Sequence, residues 1–577
     1  MAALPNKVQI IKTRYQAAYK IKEYWMTIWQ LVGEYVMTRK QNFLTTNLPG
    51  EFLTEQLFSS AAPEANRTMA SAIVGNMWPN GGRSFKITRP RNISDSQDVK
   101  DYYETITDVL SGYMDQPEAG LARSLSEYML DQGAFGISGV HVKKTGDYFS
   151  PLRYKAINVK QFTIEENKDG EIDTIFIDDK LTIRQIVDEY GIDQVSEKTR
   201  KLYNEAGDLN AEVRVLVLLE PRRAGRYGFG NKNLPFASIH IEYDANKILR
   251  ESGFSQAPAI VARFLKALGE TYGRSPAMFA LPAILRLNVA WELVMRAGEK
   301  QLSPPLYLLD NGALGGGTVD TSSGGLTVFN TTGMGDKAPI GPLYDVGDMR
   351  PMLEIIQQLI EDVSKAFYID RLVDLNNETK MTFGEAQIRD RIRGEGLNSV
   401  FRIQEAEMFS PLIKTSFNFL LEEGLLGVAK GSEQERNLLA RGLAPIYIPP
   451  PVLKAIQQGQ KVYDIKYISP ASRIMRMEEF QGLTQSLDVT MALSGVLPEI
   501  VDYYDPKELV RKLHELTGTD ESVLRATEVV KQIQALRAEQ AQQARQVQMT
   551  QIGADVNMKT AQAQSMQQGA ISGRPRG

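Results

Sequence analysis

Pro276-Ala-Met-Phe-Ala-Leu-Pro-Ala-Ile-Leu-Arg-Leu-Asn-Val-Ala-Trp-Glu-Leu-Val-Met-Arg-Ala-Gly-Glu-Lys-Gln301 is the stretch that decides the fold. Its apolar residues crowd three or four apart, the spacing of one helical face, and few charges interrupt them. A glycine-rich, charge-poor module follows from Leu302 to Asp348. Beyond it, Arg350 to Ile369 carries a second apolar stripe: Met352, Ile355, Ile356, Leu359, Ile360, Val363, Ala366 and Phe367. At 1.5 Å per residue each helix spans roughly 30–40 Å. Two such rods joined by a turn-rich module predict a protrusion. Its apolar surface exceeds what one chain covers, which predicts that neighbouring copies cover it in a ring.

The totals bound the rest. The chain has 577 residues, enough for several domains, with 43% hydrophobic and 24% charged residues. A net charge of −4 argues against a bulk cation for nucleic acid. There is no cysteine, so disulfides, thiolate nucleophiles and thiolate metal sites are excluded together. No apolar run of about 18 residues is free of charge or proline, and no membrane span is expected. The N-terminus lacks the apolar core of a signal peptide.

Upstream, residues 6–39 read as one amphipathic helix on Val8, Ile11, Tyr15, Ala18, Tyr19, Trp25, Ile28, Trp29 and Val32. Helices follow at about 63–77, 97–115 and 118–132, with a loop from Trp78 to Phe85. The pattern then turns to alternation, and 137–265 reads as a small antiparallel β domain inserted in a helical body. Asn167-Lys-Asp-Gly170 and Asp244-Ala-Asn246 are its hairpin turns, and Thr182 to Tyr190 is a short helix within it. Downstream, Asp370 to Met381 is a polar loop. Thr382-Phe-Gly-Glu385 has capping-box spacing and opens a helix of about 60 Å, with a kink expected at Pro411. Pro449-Pro-Pro451 marks a boundary, Tyr463 to Ser469 a strand, and helices follow at 473–493, 506–517 and 520–548 before a Gln/Ala-rich tail. The fold class is α+β, mainly α.

Motifs for catalysis are weak. No P-loop occurs, and Gly315-Gly-Gly317 is followed by no lysine. His141, His240 and His514 are scattered along the chain and read as core or surface residues. Asp178-Asp179 and Glu165-Glu166 are the only footing for a metal-dependent nuclease, and they sit beside turns where acidic pairs face solvent. Arg222, Arg223 and Arg226, and Arg389, Arg391 and Arg393, read as solvated faces or subunit contacts ahead of DNA contacts. No catalytic residue, metal ligand or cofactor site is assigned.

Several stretches in order resemble the portal (head-to-tail connector) proteins of short-tailed, T7-like bacteriophages. They are Asp131-Gln-Gly-Ala-Phe-Gly136, Pro258-Ala-Ile-Val-Ala-Arg-Phe264, Gly269-Glu-Thr-Tyr-Gly-Arg-Ser-Pro276, Glu299-Lys300 with Pro304-Pro-Leu306, Met381-Thr-Phe-Gly-Glu-Ala386 and Tyr467-Ile-Ser-Pro-Ala471. Phe264 stands where that family has tryptophan. The resemblance runs from about residue 6 to about 525. It implies a portal fold: a helical wing at 1–265 with its β domain at 137–265, a first stem helix at 266–301, a clip at 302–348, and a second stem helix at 349–369. A tunnel loop at 370–381, a long kinked wing helix and return strand at 382–470, a helical crown or barrel at 471–548 and a flexible Gln-rich tail at 549–577 complete it. It also implies a ring of about twelve subunits at one capsid vertex, assembled in the host bacterial cytoplasm. That ring conducts double-stranded DNA non-specifically during packaging and ejection. Its partners would be the terminase large subunit, then tail adaptor, with major capsid and scaffolding proteins around it and no membrane.

Site residues follow from that scheme. Asp370, Arg371, Asp374, Glu378 and Lys380 would face the DNA. Ile284, Leu285, Trp291, Leu293, Val294, Ile355, Ile356, Leu359, Ile360 and Val363 would pack the stem. Pro304, Pro305, Leu306, Tyr307, Val328 and Phe329 would dock partners at the clip. The alternatives are the nuclease and a non-channel oligomeric scaffold or tail adaptor.

Overall fold

The computed structural model describes residues 7–37, 43–44, 57–79, 83–94, 96–204, 209–222, 233–302, 306–308, 340–342, 347–372, 397–468 and 470–494, with isolated residues beyond 508. In chain order the elements are α1 (Lys7–Tyr35), α2 (Ala61–Met77), β1 (Phe85–Thr88), α3 (Gln97–Met114), α4 (Leu121–Phe135), β2 (Ile137–Lys144), β3 (Leu152–Ile157), β4 (Phe162–Glu166) and β5 (Ile172–Thr182). Next come α5 (Ile183–Tyr190), α6 (Glu197–Asn204), β6 (Glu212–Pro221), β7 (Phe236–Glu242), β8 (Lys247–Phe254), β9 (Ala259–Arg263) and α7 (Pro276–Leu302). The last are β10 (Leu306–Leu308), β11 (Ile340–Pro342), α8 (Arg350–Ala366), α9 (Ile369–Leu372), α10 (Ser410–Glu422), α11 (Glu433–Ala440), α12 (Pro450–Gln457), β12 (Asp464–Tyr467) and α13 (Pro470–Ser494). The fold is mainly helical with an inserted antiparallel β subdomain.

Two compact units emerge. The larger comprises residues 1–84, 110–425 and 468–478. Its β subdomain is two sheets, where the sequence suggests one domain: a three-stranded sheet in the order β3-β2-β9 and a five-stranded sheet in the order β4-β5-β6-β7-β8, all antiparallel. The alternation of β5, β6 and β7 explains how the larger sheet is covered. Phe176, Leu216, Leu218, Ile239 and Ile241 project to one face and bury against Val8, Ile11, Tyr15 and Ala18 of α1. On the other face Val215 packs with Leu249, Val195 and Ile186 of α5. That short helix starts with a capping box: Thr182 accepts from Gln185 N, and Gln185 reaches back to Thr182 N. The Asn167–Gly170 turn closes as read, with Asn167 Oδ1 accepting from Asp169 N and Glu171 N and Gly170 left-handed at φ 78°.

In the same unit the long helix after residue 397 is disturbed beside Pro411. It widens into a π turn at Glu405–Phe409, and Pro411 sits in the first turn of α10. A proline clashes with the carbonyl four residues back and offers no N–H to it. Widening the turn relieves both, with Ser410 N donating to Glu405 O, so the disturbance is absorbed just before the proline. The Thr382–Glu385 capping box lies outside the described residues.

The smaller unit comprises residues 85–109, 426–467 and 479–577. Its sheet pairs β1 with β12 in antiparallel register, Phe85 opposite Tyr467 and Thr88 opposite Asp464. The sequence pattern suggests β12 and reads Phe85 only as the end of a loop; a four-residue strand is too short to show alternation. Thr107 of α3 fixes it, its Oγ1 accepting from Ile87 N at 3.1 Å.

Candidate functional site

The two rods form a helical hairpin, and its root explains why the recognisable motifs have their glycines. Gly136, left-handed at φ 76°, ends α4. A Cβ there would stand 2.4 Å from Gly273 O, and a Cβ on Gly273 would stand 2.2 Å from Gly136 O. The two turns are therefore back to back, and neither tolerates a side chain. Phe264 N donates to Gly136 O at 2.9 Å, and Arg274 N to Leu265 O at 2.7 Å. Ser275 caps the first rod: its Oγ accepts from Met278 N at 3.0 Å and donates to Ala134 O at 2.7 Å. Tyr272 meets the indole of Trp29 edge-on at 5.4 Å, and Trp29 Nε1 donates to Phe135 O.

Arg263 ties this root to the rest of the unit. It is almost fully buried and pairs with Glu166 of β4 and with Glu407, at 2.9 Å, in the π turn. Glu407 also accepts from Arg263 N at 2.9 Å. With Lys266 also on Glu166, two cations meet two carboxylates, so the buried guanidinium is charge-balanced and holds three elements in one geometry.

From this root α7 packs against α8, α4, α1 and α2. Ile284, Leu287 and Ala290 face inward, as do Ile356, Val363 and Phe367 on α8 and the turn after it. A second face of α7 stays open. Phe279, Val289 and Leu293 are exposed along it at helical spacing, and Met295 and Leu302 lie near its far end. Leu353 and Ile355 are exposed on α8. The residues expected to pack the stem thus fall into three sets. Ile284, Ile356 and Val363 are buried within the chain, Leu293 and Ile355 are exposed, and Leu285, Trp291, Val294, Leu359 and Ile360 are half-buried. Glu292 and Arg296 form an i,i+4 ion pair at 2.6 Å on the exposed side. By length and composition α7 is also apolar enough to cross a membrane.

The second rod ends in a strained turn. Tyr368 is left-handed at φ 57°, a conformation that costs a non-glycine residue about 1–2 kcal/mol. Its ring lies 6.4 Å from that of Phe264. Asp370 and Arg371 follow in the helical turn α9, not in the loop expected from their polarity, and Tyr368 O accepts from Arg371 N at 3.1 Å. Asp374, Glu378 and Lys380 lie outside the described residues. So do Pro304, Pro305, Val328 and Phe329, as do Arg223, Arg226, Arg389, Arg391, Arg393 and His514. Leu306 and Tyr307 belong to β10, which pairs with β11.

The acidic pairs are all engaged. Asp178 takes a two-pronged contact from Arg214 and the Tyr15 hydroxyl at 2.8 Å. Asp179 accepts from Gln161 at 3.0 Å. Glu165 pairs with Arg14 at 2.6 Å, and Glu166 with Arg263 and with Lys266 at 2.7 Å. Neighbours on a strand point to opposite faces, so neither pair converges on one ion. Among the described residues no group of three or more His, Asp or Glu could hold a metal. His141 and His240 do come together, lining one cavity between the two sheets. Nothing in the spacing of the two histidines signals this, because their strands are brought together by sheet packing alone.

Comparison with known proteins bears on this geometry. The model of the bacteriophage head to tail connecting protein family matches residues 8–524. A probable portal protein of Bordetella phage BPP-1 is 23% identical over 563 residues, covering 96% of this chain and 95% of its own. The portal protein of Salmonella phage epsilon15 is 24% identical over 522 residues, covering 88% and 87%. A solved virion of a native gene transfer agent particle aligns over 67% of this chain and 91% of that chain, at 10% identity and a TM-score of 0.29. The chain belongs to the family of bacteriophage head-to-tail connecting (portal) proteins, structural, non-enzymatic components of the virion that act in capsid assembly and in DNA packaging and ejection.

Proposed function

We propose that the chain forms a closed ring of about twelve copies at one capsid vertex, and that the ring is the channel through which DNA is packaged and ejected. The observation that carries this is the open apolar face of α7, with Leu293 51% exposed, running along a helix whose opposite face is already packed. Isolated surface leucines are ordinary, but a row of apolar side chains along one long helix needs a cover. A neighbouring α7–α8 hairpin supplies one of matching length. In this reading α7 and α8 are the stem, 302–348 the clip, and 370–381 the tunnel loop over the DNA. The clip, with Pro304, Pro305, Leu306, Tyr307, Val328 and Phe329, docks the terminase large subunit and then a tail adaptor. The short-tailed, T7-like assignment belongs to the same reading.

The test is negative-stain electron microscopy with native mass spectrometry on the purified chain. A closed ring of about twelve copies with a hole wide enough for duplex DNA is expected. A stable monomer at every salt concentration would remove the argument from the open face, and a ring without a hole would identify a scaffold or adaptor instead.

A further inference from the structure

The five-stranded and three-stranded sheets do not close on one another. Between them lies a cavity of about 440 Å³, within the size range of small-molecule sites. One wall is largely apolar, with Ile177 and Leu181 of β5 and Val215 and Val217 of β6. The strand register continues this wall from Val217 to His240 beside it and on to Arg250 beside His240. The opposite wall is cationic. His141 of β2 stands opposite Lys155 of β3, and Lys143 follows on the same face two residues later.

The charges on the two walls differ in how they are satisfied. Arg250 pairs with Glu189 at 3.6 Å, Asp179 is bonded to Gln161, and Lys144 pairs with Glu422. His240 is bonded to the Tyr190 hydroxyl at 2.8 Å and to Ser238 Oγ at 3.0 Å. Lys143, Lys155 and His141 have no acid and no hydrogen-bond acceptor among the described residues. Burial, reinforced by neighbouring cations, pushes both imidazoles down to about 3, so each is neutral at pH 7 and His141 offers one N–H. We propose that this cavity binds a small amphipathic anion, its carboxylate or phosphate head held by Lys143, Lys155 and the N–H of His141 and its apolar body against Val215, Val217 and Leu181. Such a ligand supplies the acceptor one wall lacks and covers the hydrocarbon of the other. A neutral molecule supplies only the second, and a cation is repelled.

Isothermal titration calorimetry on the purified full chain tests this with octanoate, octyl phosphate, inorganic phosphate and octylamine. Octanoate or octyl phosphate should bind saturably at one site per chain, the tighter of the two identifying the head group. Inorganic phosphate should bind at least ~10-fold more weakly, and octylamine should not bind. The double variant Lys143→Glu/Lys155→Glu should weaken the anion at least ~10-fold with an unchanged melting curve, since both lysines are exposed. His141→Phe should weaken it too. Unchanged affinity in the double variant, equal binding of octylamine, or no saturable binding of either octyl anion would overturn the proposal.

Discussion

Lys22 lies out of reach of solvent at 1% exposure, its Nζ donating to Lys160 O at 2.8 Å and Phe162 O at 2.6 Å. Burial pushes its ammonium down to about 7, against which the Asp178 carboxylate works weakly. The unfolded chain keeps the proton up to its ordinary value near 10.5, so between those two values the unfolded state holds more protons. Stability therefore rises with pH across that window, by up to about 1.4 kcal/mol per unit, and is flat in this group below pH 7. Urea unfolding of the wild type and of Lys22→Met at pH 7 and pH 9.5 checks this. The difference between the two should shift toward the wild type by about 2–3 kcal/mol, and equal slopes would show that Lys22 is charged throughout. Gly136 makes a second prediction. Gly136→Ala must place a methyl group 2.4 Å from Gly273 O while holding φ at 76°. It should destabilise by at least ~2 kcal/mol and reduce soluble yield, whereas Gly75→Ala, which meets nothing within 4 Å inside a helix, should be neutral or stabilising. Both turn glycines are legible in the sequence as turn residues. That they abut each other is not, because the contact depends on where α4 and β9 end in space. The acidic pairs show the same limit: their partners Arg14, Arg214 and Arg263 lie on other elements, and without them Asp178 and Glu166 read as open ligands.

The α7–α8 hairpin separates two kinds of apolar residue that periodicity cannot tell apart. Ile355 and Ile356 are adjacent in the stripe, yet Ile355 is 50% exposed and Ile356 3% exposed. Aspartate at 356 buries a charge inside the chain and should cost several kcal/mol, melting the hairpin itself. Aspartate at Leu293 or Ile355 leaves the hairpin folded and acts only on whatever covers the open face. Burying a leucine contributes about 1.5–3 kcal/mol, so at each contact between copies that much is lost and a charge is stranded in addition. Leu293→Asp should give a chain with unchanged circular dichroism and melting temperature that sediments as a monomer. Ile356→Asp should lower the melting temperature. A normal ring from Leu293→Asp would place the subunit contact elsewhere. Helices were readable here because a 3.6-residue period persists over many turns. The division of the β subdomain into two sheets was not, since alternation reports a strand's faces and not its neighbours. The π turn before Pro411 was half-readable: the proline announces a disturbance, but a widened turn at Glu405–Phe409, with Met408 and Phe409 buried, leaves no mark in the apolar spacing.

A channel for DNA has to hold the duplex in register with its axis and still let it slide. Each cation that neutralises a phosphate adds affinity through counterion release, and repetition around a ring multiplies it. Under the ring reading, 66 basic against 70 acidic residues, a net charge of −4, keep such a grip weak. In the helical turn after the second rod, Arg371 has Asp370 at 4.0 Å and its guanidinium 6.0 Å from the Tyr368 ring. Its charge is shared and exposed, not concentrated on one partner. Under the ring reading, Arg371 and Lys380 are few enough to centre DNA without gripping it, and the strained Tyr368 marks where the second rod gives way to the segment that carries them. Reversing both, Arg371→Glu with Lys380→Glu, should leave ring formation intact by electron microscopy while the fraction of DNA-filled particles and the infectious titre fall several-fold. The neutral pair Arg371→Gln with Lys380→Gln should fall between. If the reversed variant retained its genome as well as the wild type, these cations would have no part in centring the duplex, and the contacts that hold packaged DNA would have to lie elsewhere in the ring.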